Sequence, residues 1–267
     1  MLVDYHMHLR VPGDGPEEVD FTVEAIERYV EAAAARHVDE IGVSEHGYYF
    51  VETEPVWSLS YQRERCVHSL ETYCDAVVEA KRRGLPVKLA LEVDWLGERT
   101  AELAALLEPY PWDYLLGSVH WIDGLAVDGR PGMWEEHEPE HVWRRYVEEL
   151  TAAAASGLFD VLSHPDLAKI FGDKRDVDWS GLLAALEGVA LEISTAGLYK
   201  PVGEIYASGS LLERGRAAGA NVTLASDAHL PKDVGRDFDR AVEHARAAGY
   251  ETVTVFDRRS SRQEPLG

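Results

Sequence analysis

The sequence has little cysteine, no long apolar run and a deficit of positive charge, and each shortage excludes a class of protein. Cys66 and Cys74 are the two cysteines. They lie on what the pattern predicts to be one helix, where a rise of about 1.5 Å per residue separates them by about 12 Å, beyond disulfide reach. Free thiols are expected, which fits a reducing compartment. Apolar stretches are short and broken by charge, so none approaches the roughly 20 residues that span a bilayer. The start, Met1-Leu2-Val3-Asp4-Tyr5-His6, has neither a basic n-region nor a small-residue cleavage site, so a cytoplasmic location is expected. Lysine and arginine total 26 against 48 aspartates and glutamates, a formal net charge of -22. Such a chain repels nucleic acid rather than releasing its counterions. Cationic ligands, metal ions above all, are the natural partners.

The acidity is not a disordered tail. Hydrophobic residues make up 46% of the 267, interspersed with the acids throughout, so a buried core is available along the whole chain. No Pro/Gly/Ser-rich linker, low-complexity tract or repeat divides it, and residues 1–267 are expected to form a single domain. Short β-rich runs at 2–6, 40–45, 88–93, 114–119, 161–164, 190–193 and 222–225, with a last candidate at 251–256, alternate with amphipathic stretches. The helices are expected at 19–35, 61–83, 100–107, 139–155, 181–187, 208–218 and 237–248. That alternation predicts an α/β fold with a parallel sheet, most economically one closed or nearly closed barrel. Gly84, Gly157, Gly219 and Gly249 stand where four of the helices should stop, as the left-handed conformation of a C-terminal cap requires. An open doubly wound sheet would carry G-x-G-x-x-G after its first strand. Here the first strand is followed by histidine.

His6 and His8 flank Met7 at the end of that strand, and the two-residue period puts both imidazoles on one side. Alone, H-x-H is a weak signal. Five of the eleven histidines, His37, His68, His137, His141 and His244, fall within or beside predicted helices and read as surface or capping residues. The other six do not. His46 ends strand two in Ser44-Glu45-His46, His120 ends strand four in Gly117-Ser118-Val119-His120, His164 ends strand five in Leu162-Ser163-His164, and His229 follows strand seven in Ser226-Asp227-Ala228-His229. In a parallel barrel the C-terminal strand ends converge on one face, where such folds build their active sites. Glu92, Glu192 and Asp227 share the distribution. A carboxylate inside an apolar strand needs a partner, because an unpaired buried charge costs several kcal/mol. Six histidines and two or three carboxylates exceed the three or four protein ligands of one zinc ion, so a cluster of two or three ions is implied. Ligand softness admits Zn, Mn or Fe without choosing among them.

His6-x-His8, Ser44-Glu45-His46, Glu92, His120, His164 and Asp227-x-His229 resemble the ordered motifs of the polymerase and histidinol phosphatase (PHP) family of metal-dependent phosphoesterases. The segment from Trp112 to Gly124, WDYLLGSVHWIDG, is similar to that family's histidinol-phosphatase branch. The resemblance implies a distorted TIM-like (β/α)7 barrel with three divalent metal ions. It assigns His6, His8, Glu92 and Asp227 to one ion, with Glu92 bridging to a second held by His120 and His164. The third would take Asp14, His46 and His229. Asp14 departs from family members that carry histidine there, and its Pro12-Gly13-Asp14-Gly15 setting also reads as a turn.

The implied activity is hydrolysis of L-histidinol phosphate to L-histidinol and phosphate, in histidine biosynthesis, by a water ionised between two ions. Lys200 and Arg10 become phosphate-binding candidates, and the loops 47–60, 124–137 and 195–207 are long enough to cover the site. Trp57, Trp121 and Trp134 are candidate walls for an imidazole, and Glu52, Glu54, Glu135 and Glu136 for a cationic tail. Three other readings compete: an amidohydrolase, disfavoured because strand four ends in His120 and not in a bridging lysine; a phosphoesterase on nucleoside monophosphates or nucleic-acid ends, the latter disfavoured by charge; and a non-catalytic metal-binding regulatory barrel. The sequence leaves assembly into a homo-oligomer open.

Overall fold

The structure is a computed structural model, and the residues described are 1–11, 18–130 and 132–267. In chain order its elements are β1 (Val3–Asp4), α1 (Val23–Ala34), β2 (Glu40–Val43), α2 (Ser60–Arg63), α3 (Leu70–Arg82), β3 (Val87–Asp94), α4 (Thr100–Leu107), β4 (Tyr114–Ser118), β5 (Trp121–Ile122), β6 (Leu125–Ala126), α5 (Met133–Glu136) and α6 (Pro139–Ala155). There follow β7 (Val161–Leu162), α7 (Ser180–Ala185), β8 (Ala190–Ser194), α8 (Gly209–Ala217), β9 (Asn221–Ala225), α9 (Phe238–Ala247), β10 (Thr252–Asp257) and β11 (Ser260–Pro265). Seven strands form one parallel sheet in the order β1-β2-β3-β4-β7-β8-β9. Its two edges meet. Tyr5 N–H donates to Leu224 O at 3.0 Å and His8 N–H to Ala228 O at 2.8 Å, so the sheet curls into a nearly closed barrel. Buried Asp4 staples the seam, accepting the backbone N–H groups of Ser226 and Gly235, each at 2.8 Å.

The helix predictions hold well where a cap or a glycine fixes an end. Gly84, Gly157, Gly219 and Gly249 all have positive φ just past helices. The expected helix 61–83 is in fact two. Val67 and His68 leave the helical path to pair with the backbone of Tyr49 and Val51, and Ser69 starts a new helix by accepting the Thr72 N–H. Cys66 and Cys74 therefore do not share a helix; both are buried free thiols. The candidate strand 251–256 is present, but it does not join the parallel sheet. It is β10, which pairs antiparallel with β11 as a hairpin outside the parallel sheet.

That hairpin floors the barrel at the N-terminal ends of its strands. Phe256 packs against Tyr114 and Tyr5, with ring centroids 5.1 and 5.9 Å away, and the turn residue Arg259 donates its N–H to Asp113 O at 2.9 Å. Tyr114 crosses the barrel interior to donate its hydroxyl to Tyr5 O at 2.6 Å. The crossing needs Gly42 on β2, where an added Cβ would lie 1.8 Å from the Tyr114 oxygen. With the floor packed by aromatics, polar side chains collect at the opposite end. Among the described residues no helix is long and apolar enough to cross a membrane.

Candidate metal centre

The strand ends bring His6, His8, His46, Glu92, His120, His164, Asp227 and His229 together. His6, His8, Glu92 and His164 are buried, while His46, His120, Asp227 and His229 edge a cavity of about 190 Å³. Asp14 lies outside the described residues. Three groups of ligand atoms each lie within 4.8 Å of one another: His6, His8 and Asp227; His6, Glu92 and His164; and His8, His46 and His229.

The spacing is that of ligands around ions. Two nitrogen or oxygen ligands at about 2.0–2.2 Å from a tetrahedral ion sit roughly 3.3–3.6 Å apart. His6 Nε2 is 3.4 Å from Glu92 Oε2, and His8 Nε2 is 3.5 Å from Asp227 Oδ1. His120 Nε2 is 3.5 Å from Glu92 Oε1 and 3.2 Å from His164 Nε2. Glu92 thus turns one oxygen to His6, His8 and His46 and the other to His120 and His164. Several of these atoms are buried without a hydrogen-bond partner among the described residues, including Nε2 of His6 and His8 and Oε2 of Glu92. His46 Nδ1 comes within 2.8 Å of that same Glu92 Oε2, yet the contact lacks hydrogen-bond geometry. Buried polar atoms left unpaired cost about 1–3 kcal/mol each, so a group of them facing one point fits a cation there. The chain pays for the arrangement in backbone strain too: His164 and Asp227 take positive φ, 28° and 51°, in a region that costs non-glycine residues about 1–3 kcal/mol.

Behind the ligand atoms stand carboxylates that orient them. Glu192 Oε2 accepts from His6 Nδ1 at 2.8 Å, and its other oxygen accepts the His164 backbone N–H at 3.0 Å. Asp94 Oδ1 accepts from His120 Nδ1 at 2.6 Å. Glu45 Oε2 lies 3.5 Å from His8 Nδ1, and Ser118 Oγ donates to Glu92 Oε1 at 2.6 Å. A carboxylate on Nδ1 leaves Nε2 as the lone-pair face. Burial alone would depress His6, His8 and His120, but neighbouring carboxylates outweigh it and raise all three, His8 to about 9 and His120 to about 10. His46 and His229 go the other way, lowered first by burial and then by charge on His8, His229 to about 3. Glu92 and Asp227 are held well below the usual carboxylate range, the histidines overcoming the cost of burial.

All three predicted cover loops reach the cavity, through Tyr48, Asp128 and Lys200, and Arg10, Tyr61 and Trp121 complete its rim. The expected acidic walls are a misassignment. Glu52 accepts from the Leu70 N–H that opens α3, Glu54 pairs with Arg63, and Glu135 holds Arg130 and the Gly132 N–H. None of these three, nor Glu136, lines the cavity; among the described residues Asp128 is the lining acid besides the candidate ligands Glu92 and Asp227. Trp57 is buried with its N–H on Thr53, and Trp134 donates to Val127 O, so both serve packing and only Trp121 faces the site. The orienting roles of Glu45, Asp94 and Glu192 were not foreseen. For Asp94 a signal was present: two residues after Glu92, it projects from the same face of β3.

A PHP domain model matches residues 4–196. The chain belongs to the PHP domain family. A probable histidinol-phosphatase of Deinococcus radiodurans is 37% identical over 182 residues, 66% of this chain and 70% of that protein. A histidinol-phosphatase of Lactococcus lactis is 24% identical over 268 residues, covering 95% and 94% of the two chains. Among solved structures, the Lactococcus lactis histidinol phosphate phosphatase complexed with zinc, L-histidinol and phosphate superposes with a TM-score of 0.75 at 21% identity, over 98% of each chain. At that identity the likeness is one of fold, and the fold agrees with the barrel described above.

Proposed function

We propose that this PHP-family barrel, read as one domain, is a histidinol-phosphatase that hydrolyses L-histidinol phosphate at a centre of three divalent ions, zinc, iron or manganese. The observation that carries the reading is Glu92, whose two oxygens face two separate sets of imidazole nitrogens, Oε2 lying 3.4 Å from His6 Nε2 and Oε1 3.5 Å from His120 Nε2, as ligands sharing an ion would. Relatives named for that activity support the substrate. Bound ions supply water that ionises near neutrality and positive charge for the phosphoryl oxygens.

The chain's own residues do the rest. His6, His8 and Asp227 would hold one ion with Glu92, and His120 and His164 would hold the second together with the other oxygen of Glu92. His46 and His229 serve the third, with Asp14 as its remaining candidate ligand. Glu192 and Asp94 keep the protons of His6 and His120 on Nδ1, away from the cavity. Lys200 and Arg10 face the cavity as cations for the phosphate, and Asp128 and Trp121 suit the substrate's cationic ring and amine. The buried thiols of Cys66 and Cys74 accord with a reducing, cytoplasmic setting.

The test is phosphate release from L-histidinol phosphate by protein loaded with Zn²⁺, Mn²⁺ or Fe²⁺, against the same protein after chelation. Release that disappears on chelation and returns with metal is expected. Hydrolysis of a nucleoside monophosphate in preference to L-histidinol phosphate would overturn the substrate, and metal binding without hydrolysis of either would overturn the activity.

A further inference from the structure

Gln62 is among the few fully buried uncharged polar side chains outside the strand ends, 2% exposed on the four-residue helix α2. The preceding residue, Tyr61, lines the cavity, its ring 5.1 Å from Trp121. Gln62 turns the other way. Its Nε2 donates to Asp94 Oδ2 at 2.8 Å, and the second oxygen of Asp94, itself 3% exposed, accepts from His120 Nδ1 at 2.6 Å. The backbone around Gln62 is braced as well, since the buried Cys66 thiol lies 3.4 Å from Gln62 O and 3.3 Å from Tyr48 O. Cavity wall, amide, carboxylate and imidazole therefore form one continuous chain.

We propose that Gln62 is a positioning residue, which locks Asp94 so that His120 presents Nε2 to its ion and which couples the Tyr61 wall of the cavity to that ligand. The inference rests on His120 being a metal ligand. A neutral imidazole has one N–H, and a carboxylate held against Nδ1 keeps the proton there. Asp94 can rotate about its terminal torsion unless its outer oxygen is also held. An amide suits that task better than a lysine or arginine would, because a full positive charge would compete with His120 for the carboxylate.

The inference is tested by metal binding, independently of turnover. Metal-free wild type, Gln62→Met, Gln62→Glu, Asp94→Asn and His120→Ala are each titrated with Co²⁺, whose visible absorption reports coordination, and the ions per chain are counted. Near-ultraviolet circular dichroism checks the fold. Removing the donor in Gln62→Met is expected to weaken one class of ion by about tenfold, at the lower end of the 10–100-fold typical of outer-shell partners, with the others unchanged. Asp94→Asn should weaken the same class further, and His120→Ala should remove it. Turnover of Gln62→Met is expected to fall in kcat with KM little changed. Wild-type Co²⁺ affinity in folded Gln62→Met, alongside weakened Asp94→Asn, overturns the role of Gln62 while leaving the ligand assignment standing. Full ion content in His120→Ala overturns both. If Gln62→Met does not fold, Gln62→Glu decides instead: it keeps the length and sets a carboxylate against Asp94, and unchanged ion binding there overturns the inference.

Discussion

The two ends of the barrel are built from the same seven strands and obey opposite rules. At the floor, Tyr5, Tyr114 and Phe256 are buried against one another and Tyr114 spends its hydroxyl on Tyr5 O. At the mouth, Nε2 of His6 and His8 and Oε2 of Glu92 are buried with no hydrogen bond among the described residues, and His164 and Asp227 hold positive φ. One end is satisfied as it stands, and the other is complete only with cations. Stability and chemistry are thus separated along the barrel axis, and substitutions at the two ends should fail in different ways.

The largest difference is expected from Glu92→Ala. Removing the carboxylate shared between the two ligand sets should lower phosphate release by at least about a thousandfold, ~4 kcal/mol in barrier, while the folded signal survives. Retention of a tenth of the activity would sink the bridging role. At the floor, Phe256→Ala should do the reverse, costing about 3–5 kcal/mol and lowering the melting temperature by roughly 5–15 °C with kcat per folded molecule unchanged. Thermal unfolding and active-site-normalised kinetics separate the two outcomes.

Glu192→Gln is a subtler lesion of the mouth. Its amide can turn NH₂ rather than oxygen toward His6 Nδ1, and metal affinity should drop about 10–100-fold, measured by chelator competition. Lys200 is an exposed residue of the cavity lining, and Lys200→Ala should raise KM by about tenfold, ~1.4 kcal/mol, and leave metal content alone; an unchanged KM removes Lys200 from substrate binding.

The smallest effect concerns protons. With His8 raised to about 9 and His120 to about 10, both are protonated at pH 7 in the metal-free chain and must be neutral to ligate. Loading at pH 7 should therefore release protons, and apparent affinity should climb with pH until about 10. The sign for the metal-free chain is opposite: folded pKa values above the unfolded histidine value stabilise it fully below about 6.5, and that stability fades as pH rises toward 9–10. Proton release by pH-stat that stays at zero throughout would contradict both raised values.

Much of this was legible in the residues. Six histidines at the ends of five strands identify the mouth because the two-residue period and parallel connectivity leave them nowhere else to converge. Helices 100–107 and 139–155 occur as expected, since their apolar spacing and, for the latter, Pro139 at its first turn are local signals. The break between α2 and α3 was not legible: it depends on Val67 and His68 pairing with residues near Tyr49, a contact no window of sequence contains. β11, Ser-Ser-Arg-Gln-Glu-Pro, carries no apolar alternation and exists as a strand because β10 offers it an edge. The acidic residues of the cover loops misled because composition reports charge but not direction, and Glu52, Glu54 and Glu135 turn to caps and ion pairs of their own.

By itself the sequence determined the barrel, its chemical end and the ligand types, because periodicity and residue chemistry are properties of short stretches. Only the tertiary structure decided which oxygen of Glu92 meets which imidazole, that Asp94 and Glu192 hold His120 and His6 by Nδ1, and that Gln62 reaches Asp94 from across the cavity wall. Those pairings join residues 26 to 186 positions apart, and their partners are set by how the strands curl and close rather than by anything adjacent in the chain.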